Sequence, residues 1–275
     1  MHRHKKGKIG VFDSGFGGID ILRGIVKQLP QYNYVYLGDT ARTPYGTRTK
    51  HTVYQFTKEA IDYLFSEGCE LIIIACNTAS SDALCKIQIE YVPLYYPNRK
   101  VLGVLIPAAE EAVIKTKNKK IGVIATEGTV RSQSFEKEIY KLDKKIRVYQ
   151  KSAPLLVPVV EAGEHNSKVA TLLLRQYLKP LISKNIDTLI LGCTHYGILH
   201  RKIKKIIGPK VHIISEAEII PRDLKLYLDR HPDLEKRLGK QKRVIFNTTD
   251  TTEKFTKLGS QFFKAPIKAY KVQLT

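Results

Sequence analysis

Two cysteines, Cys76 and Cys193, stand in the stretches of this chain best suited to chemistry. Residues 71–75 form an apolar run, after which Cys76, Asn77 and Thr78 arrive where a buried strand should open into a loop before a helix. The pattern returns at residues 189–191, which lead through Gly192 into Cys193, Thr194 and His195. A thiol gives or takes a proton when its surroundings favour the thiolate. With one thiol on each side of a stereocentre, a proton removed from one face is returned on the other, and the configuration inverts. The plainer alternative is that each cysteine is a small buried hydrophobe. What favours chemistry is the pairing, each cysteine at a strand end and each followed by hydrogen-bonding side chains.

The elements that must position these groups follow from the apolar periodicity. A strand at residues 8–12 ends in Asp13-Ser14-Gly15-Phe16-Gly17-Gly18 before an amphipathic helix at 19–28, a backbone donor arrangement suited to an anion. The glycine spacing fits a dinucleotide fingerprint poorly, and a carboxylate suits the small loop better. A strand at 34–37 leads past Asp39 to the turn Pro44-Tyr45-Gly46, where proline fixes φ and glycine permits close approach. Further strands are expected at 71–74, 101–106, 121–125, 146–150, 188–191, 212–214 and 244–247, with a short one within 267–272. Helices are expected at 49–65, 80–90, 107–117, 131–142, 155–162, 167–179, 198–207, 221–228 and 252–263. Residues 91–100, with Pro93, Pro97 and three tyrosines, read as a surface loop, and residues 231–243 as a charged loop.

Strands alternating with helices imply parallel sheets covered on both faces, with ligands outside the carboxyl ends of the strands. Asp13, Asp39, Cys76, Thr126, Cys193 and Glu216 all fall at such ends. The expected fold is α/β, with two similar domains built on parallel-sheet cores with flanking helices and an active site in the cleft between them. Residues 1–106 with 221–275 would form one domain and residues 107–220 the other.

Composition narrows the class. No apolar run in the 275 residues approaches the roughly 20 needed to span a bilayer, and the basic residues 1–8 lead into a strand without a signal peptide's apolar region. A soluble, unexported protein is expected. Cys69, Cys76, Cys85 and Cys193 show no C-x-x-C pair and no short histidine spacing, which argues for free thiols over a structural zinc site or a disulfide frame. The excess of 46 Lys+Arg over 26 Asp+Glu gives +20, a balance that permits association with nucleic acid. Because the charges are spread over residues 115–120, 141–145, 201–205 and 236–243, a solvated basic surface is the favoured reading.

Six segments, in order, resemble the cofactor-independent aspartate/glutamate racemases over residues 9–263: Gly-Val-Phe-Asp13-Ser14-Gly15-x-Gly17-Gly18, Gly38-Asp39-Thr40-Ala41-Arg42-x-Pro44-Tyr45-Gly46, Ala75-Cys76-Asn77-Thr78-Ala79-Ser80, Thr126-x-x-Thr129, Val157-Pro158-Val159-Val160-Glu161-x-Gly163 and Gly192-Cys193-Thr194-His195-Tyr196. Each is weak alone; together they are specific. The resemblance implies a two-base interconversion of L- and D-glutamate without cofactor or metal, Cys76 acting on the D enantiomer and Cys193 on the L. It implies that Ser14, Asn77, Thr78 and Thr194, with the backbone of Tyr45 and Gly46, hold the substrate. Asp13 and His195 would assist the thiols beside the substrate, and Glu161 would be a further catalytic carboxylate. It also implies a cytoplasmic homodimer supplying D-glutamate for bacterial peptidoglycan.

Without the resemblance, the same residues have plainer readings. Asp13, Ser14, Asn77 and Thr78 suit helix caps, His195 a helix start, Tyr45 and Gly46 a plain turn, and Glu161 a solvated helix position. The chain departs from the family's usual pattern at Gly197, at Glu216 where aspartate is more usual, and at residues 91–100, which resemble an insertion affecting a rim or interface. Rival expectations are racemisation of aspartate by the same machinery, and a basic protein associated with nucleic acid or topoisomerase that keeps the fold.

Overall fold

A computed structural model describes residues 6–274, so the basic residues 1–5 lie outside the described chain. Among these residues ten strands form: β1 (Lys8–Asp13), β2 (Tyr34–Gly38), β3 (Cys69–Ile74), β4 (Lys100–Gly103), β5 (Lys120–Ala125), β6 (Arg147–Ser152), β7 (Thr188–Gly192), β8 (His212–Ile214), β9 (Val244–Thr248) and β10 (Ala269–Lys271). They make two sheets, ordered β10-β9-β2-β1-β3-β4 and β6-β5-β7-β8. Every pairing in both is parallel.

The inner strands are continuous apolar runs because helices cover both of their faces. Ile9, Val11, Phe12, Ile72 and Ile74 of the first sheet, and Ile121, Val123, Leu189 and Ile190 of the second, are fully buried. The strand order 2-1-3-4 recurs as 6-5-7-8, so the halves share a local topology although their sequences differ. In each, the first strand of the unit lies between its neighbours, which opens a crevice at the carboxyl ends beside it. Cys76 lies two residues beyond β3 and Cys193 immediately after β7, and these are equivalent strands. β9 and β10 return the chain to the first sheet after the second is complete.

Local side-chain caps set three of the helix starts. Oγ1 of Thr49 accepts from the Thr52 amide (3.2 Å) to cap Lys50–Ser66, Thr126 caps Glu127–Ser132, and Ser167 caps Lys168–Ile182.

Prolines caused the main misreadings. Residues 91–100 are not one loop: a π turn, Ile87–Tyr91, runs into the helix Val92–Tyr95, with Pro93 in its first turn, where a missing N–H is tolerated. The hydroxyls of Tyr91 and Tyr96 donate to Asp62, and Arg99 donates to the carbonyls of Phe65 and Cys69, tying the segment to the helix before β3. Pro107 does not start its helix, which spans Leu105–Lys115 and follows a strand ending at Gly103. Pro221 lies inside Glu216–Arg230, and the Ala217 carbonyl, which a proline at 221 cannot bond, packs where a Cβ on Gly24 would come within 2.3 Å. The charged stretch 231–243 contains the helix Pro232–Arg237. The helix expected at 80–90 begins at Asn77, and the one expected at 131–142 breaks at Gln133, whose φ of 55° is left-handed.

The halves meet through glycine. A Cβ on Gly17 would lie 2.5 Å from the Thr194 hydroxyl and from the His195 amide nitrogen, and a Cβ on Gly46 would lie 2.6 Å from Cβ of Thr126. Because backbone and a short side chain cannot yield to such overlap, Gly17→Ala is expected to lower stability by about 1–3 kcal/mol. Urea denaturation checks this; an unchanged midpoint would show that the turn has slack.

Candidate active site

Pairing of β1 with β3 sets the site's first wall. The Ala75 amide donates to the Phe12 carbonyl at 2.8 Å, which carries Cys76 to the level of Asp13 and Ser14. Gly18 keeps this corner tight, since a Cβ there would lie 2.7 Å from Cβ of Asp13. Asp13 is fully buried and accepts from both halves: Oδ2 from the Gly15 amide at 3.0 Å, and Oδ1 from the Thr194 hydroxyl at 3.1 Å. It is not the side-chain cap of the following helix, which has none. Burial pushes the Asp13 carboxyl's pKa up, against the opposing pull of His195 and the bonds from Gly15, Gly18 and Thr194.

The thiols are nearly enclosed, Cys76 at 5% exposure and Cys193 at 6%. The Cys76 thiol donates to the Ser14 hydroxyl at 3.4 Å. Burial, and then the charge of Asp13, push its pKa up to about 12, while bonds to Ser14 and Ala79 resist. Cys193 is pushed well above the usual thiol range by burial, with Cys76, Asp13 and Glu216 adding to the rise. Cys193 therefore senses Cys76, and both thiols sense Asp13.

Behind Cys193 runs a chain of side chains. Its sulfur is 3.9 Å from Nδ1 of His195, whose Nε2 is 3.2 Å from Oε1 of Glu161, which also accepts from Thr43 at 3.4 Å. An ionised carboxylate only accepts, so Nε2 carries the hydrogen toward Glu161, and Nδ1 is the ring atom that faces the thiol. Burial raises Glu161, but the bond and charge of His195, with Lys254 and Thr43, outweigh it and hold the carboxyl below its ordinary value. Glu161 is thus not a solvated helix residue. Gly15 lets the first half close on this chain, since a Cβ there would sit 3.2 Å from both Glu161 and His195.

Asn77 and Thr78 do not cap their helix; they reach into the other half. Nδ2 of Asn77 donates to Oε2 of Glu216 at 3.0 Å, and the Thr78 hydroxyl lies 2.9 Å from that of Thr126 and 3.4 Å from that of Thr129. Tyr45 differs from the other residues of the set. Its ring is buried against Phe12 and Phe56 and its hydroxyl donates to Asp39, so only its backbone and Gly46 approach the second half. Asp39 is occupied by Arg42, Tyr45 and Thr249, a structural network that braces the turn.

The structure thus gathers Asp13, Ser14, Cys76, Asn77, Thr78, Glu161, Cys193, Thr194 and His195 between the two sheets. Sequence reasoning gave no role to Thr43, Thr126 or Glu216. The last two were legible in the sequence, by their position at strand ends and by their place in the family pattern. The cavity that reaches Cys193 and Glu216 holds only ≈ 20 Å³, far less than an amino acid occupies. Larger clefts, ≈ 750 Å³ and ≈ 420 Å³, are lined by neither Cys76 nor Cys193.

Matched parallel sheets with a buried thiol at the same strand end of each define a two-domain α/β protein with a cleft between its halves. Comparison with known proteins agrees. The sequence pattern of the family described as Asp/Glu/Hydantoin racemase matches residues 9–221. Glutamate racemase of Sulfurihydrogenibium sp. is 41% identical over 271 residues, 97% of each chain, and that of Persephonella marina 41% over 268 residues, again 97% of each. Glutamate racemase isoform RacE1 of Bacillus anthracis superposes with a TM-score of 0.90 at 36% identity, covering 98% of this chain and 99% of that one. A Francisella tularensis glutamate racemase solved with D-glutamate gives 0.87 at 31% identity, covering 98% of both. The chain belongs to the Asp/Glu/Hydantoin racemase family and is an amino-acid racemase, an isomerase.

The buried thiols make stability depend on pH. Cys69, buried at the start of β3, is also pushed up to about 12, chiefly by burial. In the unfolded chain a thiol loses its proton near pH 8.5, whereas the folded protein retains it, so stability falls as pH rises from there toward the folded value. At pH 9.5 each such thiol costs about 1.4 kcal/mol relative to pH 7. Denaturant titrations at the two pH values measure the loss, and Cys69→Ala should remove one thiol's share of it. A slope unaltered in that variant would contradict the assignment.

Proposed function

We propose that this chain is a glutamate racemase in which one thiol takes the Cα proton and the other returns a proton to the opposite face, without a cofactor. The observation carrying the proposal is the enclosed pair, Cys76 and Cys193, at equivalent strand ends with Asp13 acting on both. Its support from relatives is the name shared by proteins aligned over 97% of the chain. In the proposed cycle the Cys76 thiolate takes the Cα proton of D-glutamate, and the electron pair left behind is delocalised into the α-carboxylate. The Cys193 thiol then donates its proton to the opposite face, giving L-glutamate. The reverse direction starts from the Cys193 thiolate, and in either direction one sulfur gains a proton from the substrate while the other gives a different proton to the product.

Two needs follow from this chemistry. Charge building on the carboxylate requires fixed donors, for which Ser14, Asn77, Thr78, Thr194 and the amides of Tyr45 and Gly46 are the candidates. The thiols need a counterweight to burial. An α-ammonium entering beside them favours the thiolate, as any near positive charge does. Asp13 beside Cys76, and His195 backed by Glu161 beside Cys193, are the candidates to hand protons to and from the sulfurs between turnovers.

The reading assigns residues 1–106 with 221–275 to one domain and 107–220 to the other. It takes the setting to be cytoplasmic and the product to feed peptidoglycan. No helix among the described residues is long and apolar enough to cross a membrane. It also takes the working form to be a homodimer. Ile89, Leu94 and Tyr95 expose 70%, 71% and 61% of their surface on one short helical run, an apolar area suited to association. Sedimentation at micromolar concentration is expected to give a dimer; a monomer would remove that part of the proposal.

Incubation with each glutamate enantiomer in deuterated water tests the chemistry. Deuterium uptake at Cα and loss of optical rotation are expected together. Cys76→Ala and Cys193→Ala are each expected to slow inversion by about 100- to 10,000-fold, the usual weight of a general acid or base. Full turnover in either variant would exclude the two-thiol route. Faster reaction of aspartate would move the substrate assignment, and steep salt-dependent DNA binding with no isomerisation would favour the nucleic-acid reading.

A further inference from the structure

Glu216 opens the helix Glu216–Arg230 on the second half, and Asn77 opens Asn77–Asp82 on the first. Both side chains are buried, at 5% and 2% exposure, and they touch across the cleft through the bond from Asn77 Nδ2 to Glu216 Oε2 at 3.0 Å. The other oxygen of each group, Oδ1 of Asn77 and Oε1 of Glu216, is also buried and receives no hydrogen bond from the protein. Two buried acceptors without a donor on one bonded pair are costly. A hydroxyl hydrogen on Glu216 is the donor that this pair lacks, because a protonated carboxyl gains one while keeping an acceptor for Nδ2.

We propose that Glu216 is a positioning residue that, as a neutral acid, holds the Asn77 amide by a two-point pairing across the cleft. The inference rests on the reading of Asn77 as a substrate ligand. With one N–H and the carbonyl of the amide engaged by Glu216, the second N–H is presented in a fixed direction for a substrate oxygen. Neutrality has a further consequence. Glutamate brings two carboxylates into a pocket that already holds Asp13, and an ionised Glu216 would add repulsion at short range in a poorly screened site. Burial pushes the Glu216 carboxyl well above its ordinary range, with Asp13 adding to the rise and Asn77 opposing it.

Glu216→Gln and Glu216→Leu separate the possibilities. Glutamine supplies the same two points, a carbonyl for Nδ2 and an N–H for Oδ1, without charge, and is expected to keep kcat/KM within about threefold of the parent. Leucine supplies neither and is expected to raise KM for glutamate by about tenfold or more, with a smaller change in kcat, the scale of one lost buried hydrogen bond. The infrared spectrum of the parent minus that of Glu216→Gln should contain the carbonyl stretch of one neutral carboxyl group. Three results would overturn the proposal: glutamine as impaired as leucine, no neutral-carboxyl band, or tighter glutamate binding in either variant. The last would mean that Glu216 competes with substrate for Asn77. The infrared measurement needs neither turnover nor the leucine variant to fold, so a parent without racemase activity would count against the proposed function and leave this pairing separately decided.

Discussion

Asp13 is a carboxyl group sealed between two sheets, hydrogen-bonded by the Gly15 amide of its own turn and by the Thr194 hydroxyl of the opposite half. A buried carboxyl must be satisfied or neutralised, and here satisfaction is possible only if the halves are in contact. The glycines at 15 and 17 are what allow that contact, because a side chain on either would meet Glu161, His195 or Thr194. The same closeness brings the ends of β3 and β7 within electrostatic reach of each other. Geometry at this one residue therefore ties the domain arrangement to the relation between the thiols.

Enclosure sets the electrostatic character of the site. Asp13, Cys76, Cys193 and Glu216 are all pushed toward their protonated forms, while Glu161, buried but backed by His195, is held in its charged form. The two thiols consequently face unequal surroundings: a carboxyl and a hydroxyl beside Cys76, an imidazole–carboxylate chain beside Cys193. In the proposed function this asymmetry means that each thiol exchanges protons through different partners, although the strands delivering them are equivalent.

The residues outside the chemistry brace it. Asp39 collects Arg42, Tyr45 and Thr249, so the strand end after β2 is a structural anchor. Tyr45 gives its ring to the core and only its backbone to the cleft. The segment beyond the Cys76 helix, expected as a loop, is fastened to Asp62 by two tyrosine hydroxyls and continues the helix through a π turn. Proline misled the reading there and at 107 and 221, because a proline in a helix's first turn, or opposite a close-packed glycine, costs little that the pattern can reveal.

The sequence by itself determined the α/β class, the place of each inner strand and the two cysteines at strand ends. Those features are local: apolar runs of strand length between turn residues, with polar groups directly after them. It also carried enough family resemblance to name most of the residues that come together. Only the tertiary structure decided which partners those residues took. Asn77 with Glu216, Thr78 with Thr126 and Asp13 with Thr194 are contacts between groups 139, 48 and 181 positions apart, made by packing two separately periodic halves face to face. Periodicity reports which face of an element is buried, not what it is buried against, so the state of Glu216 and the bracing role of Asp39 had no signature in the chain.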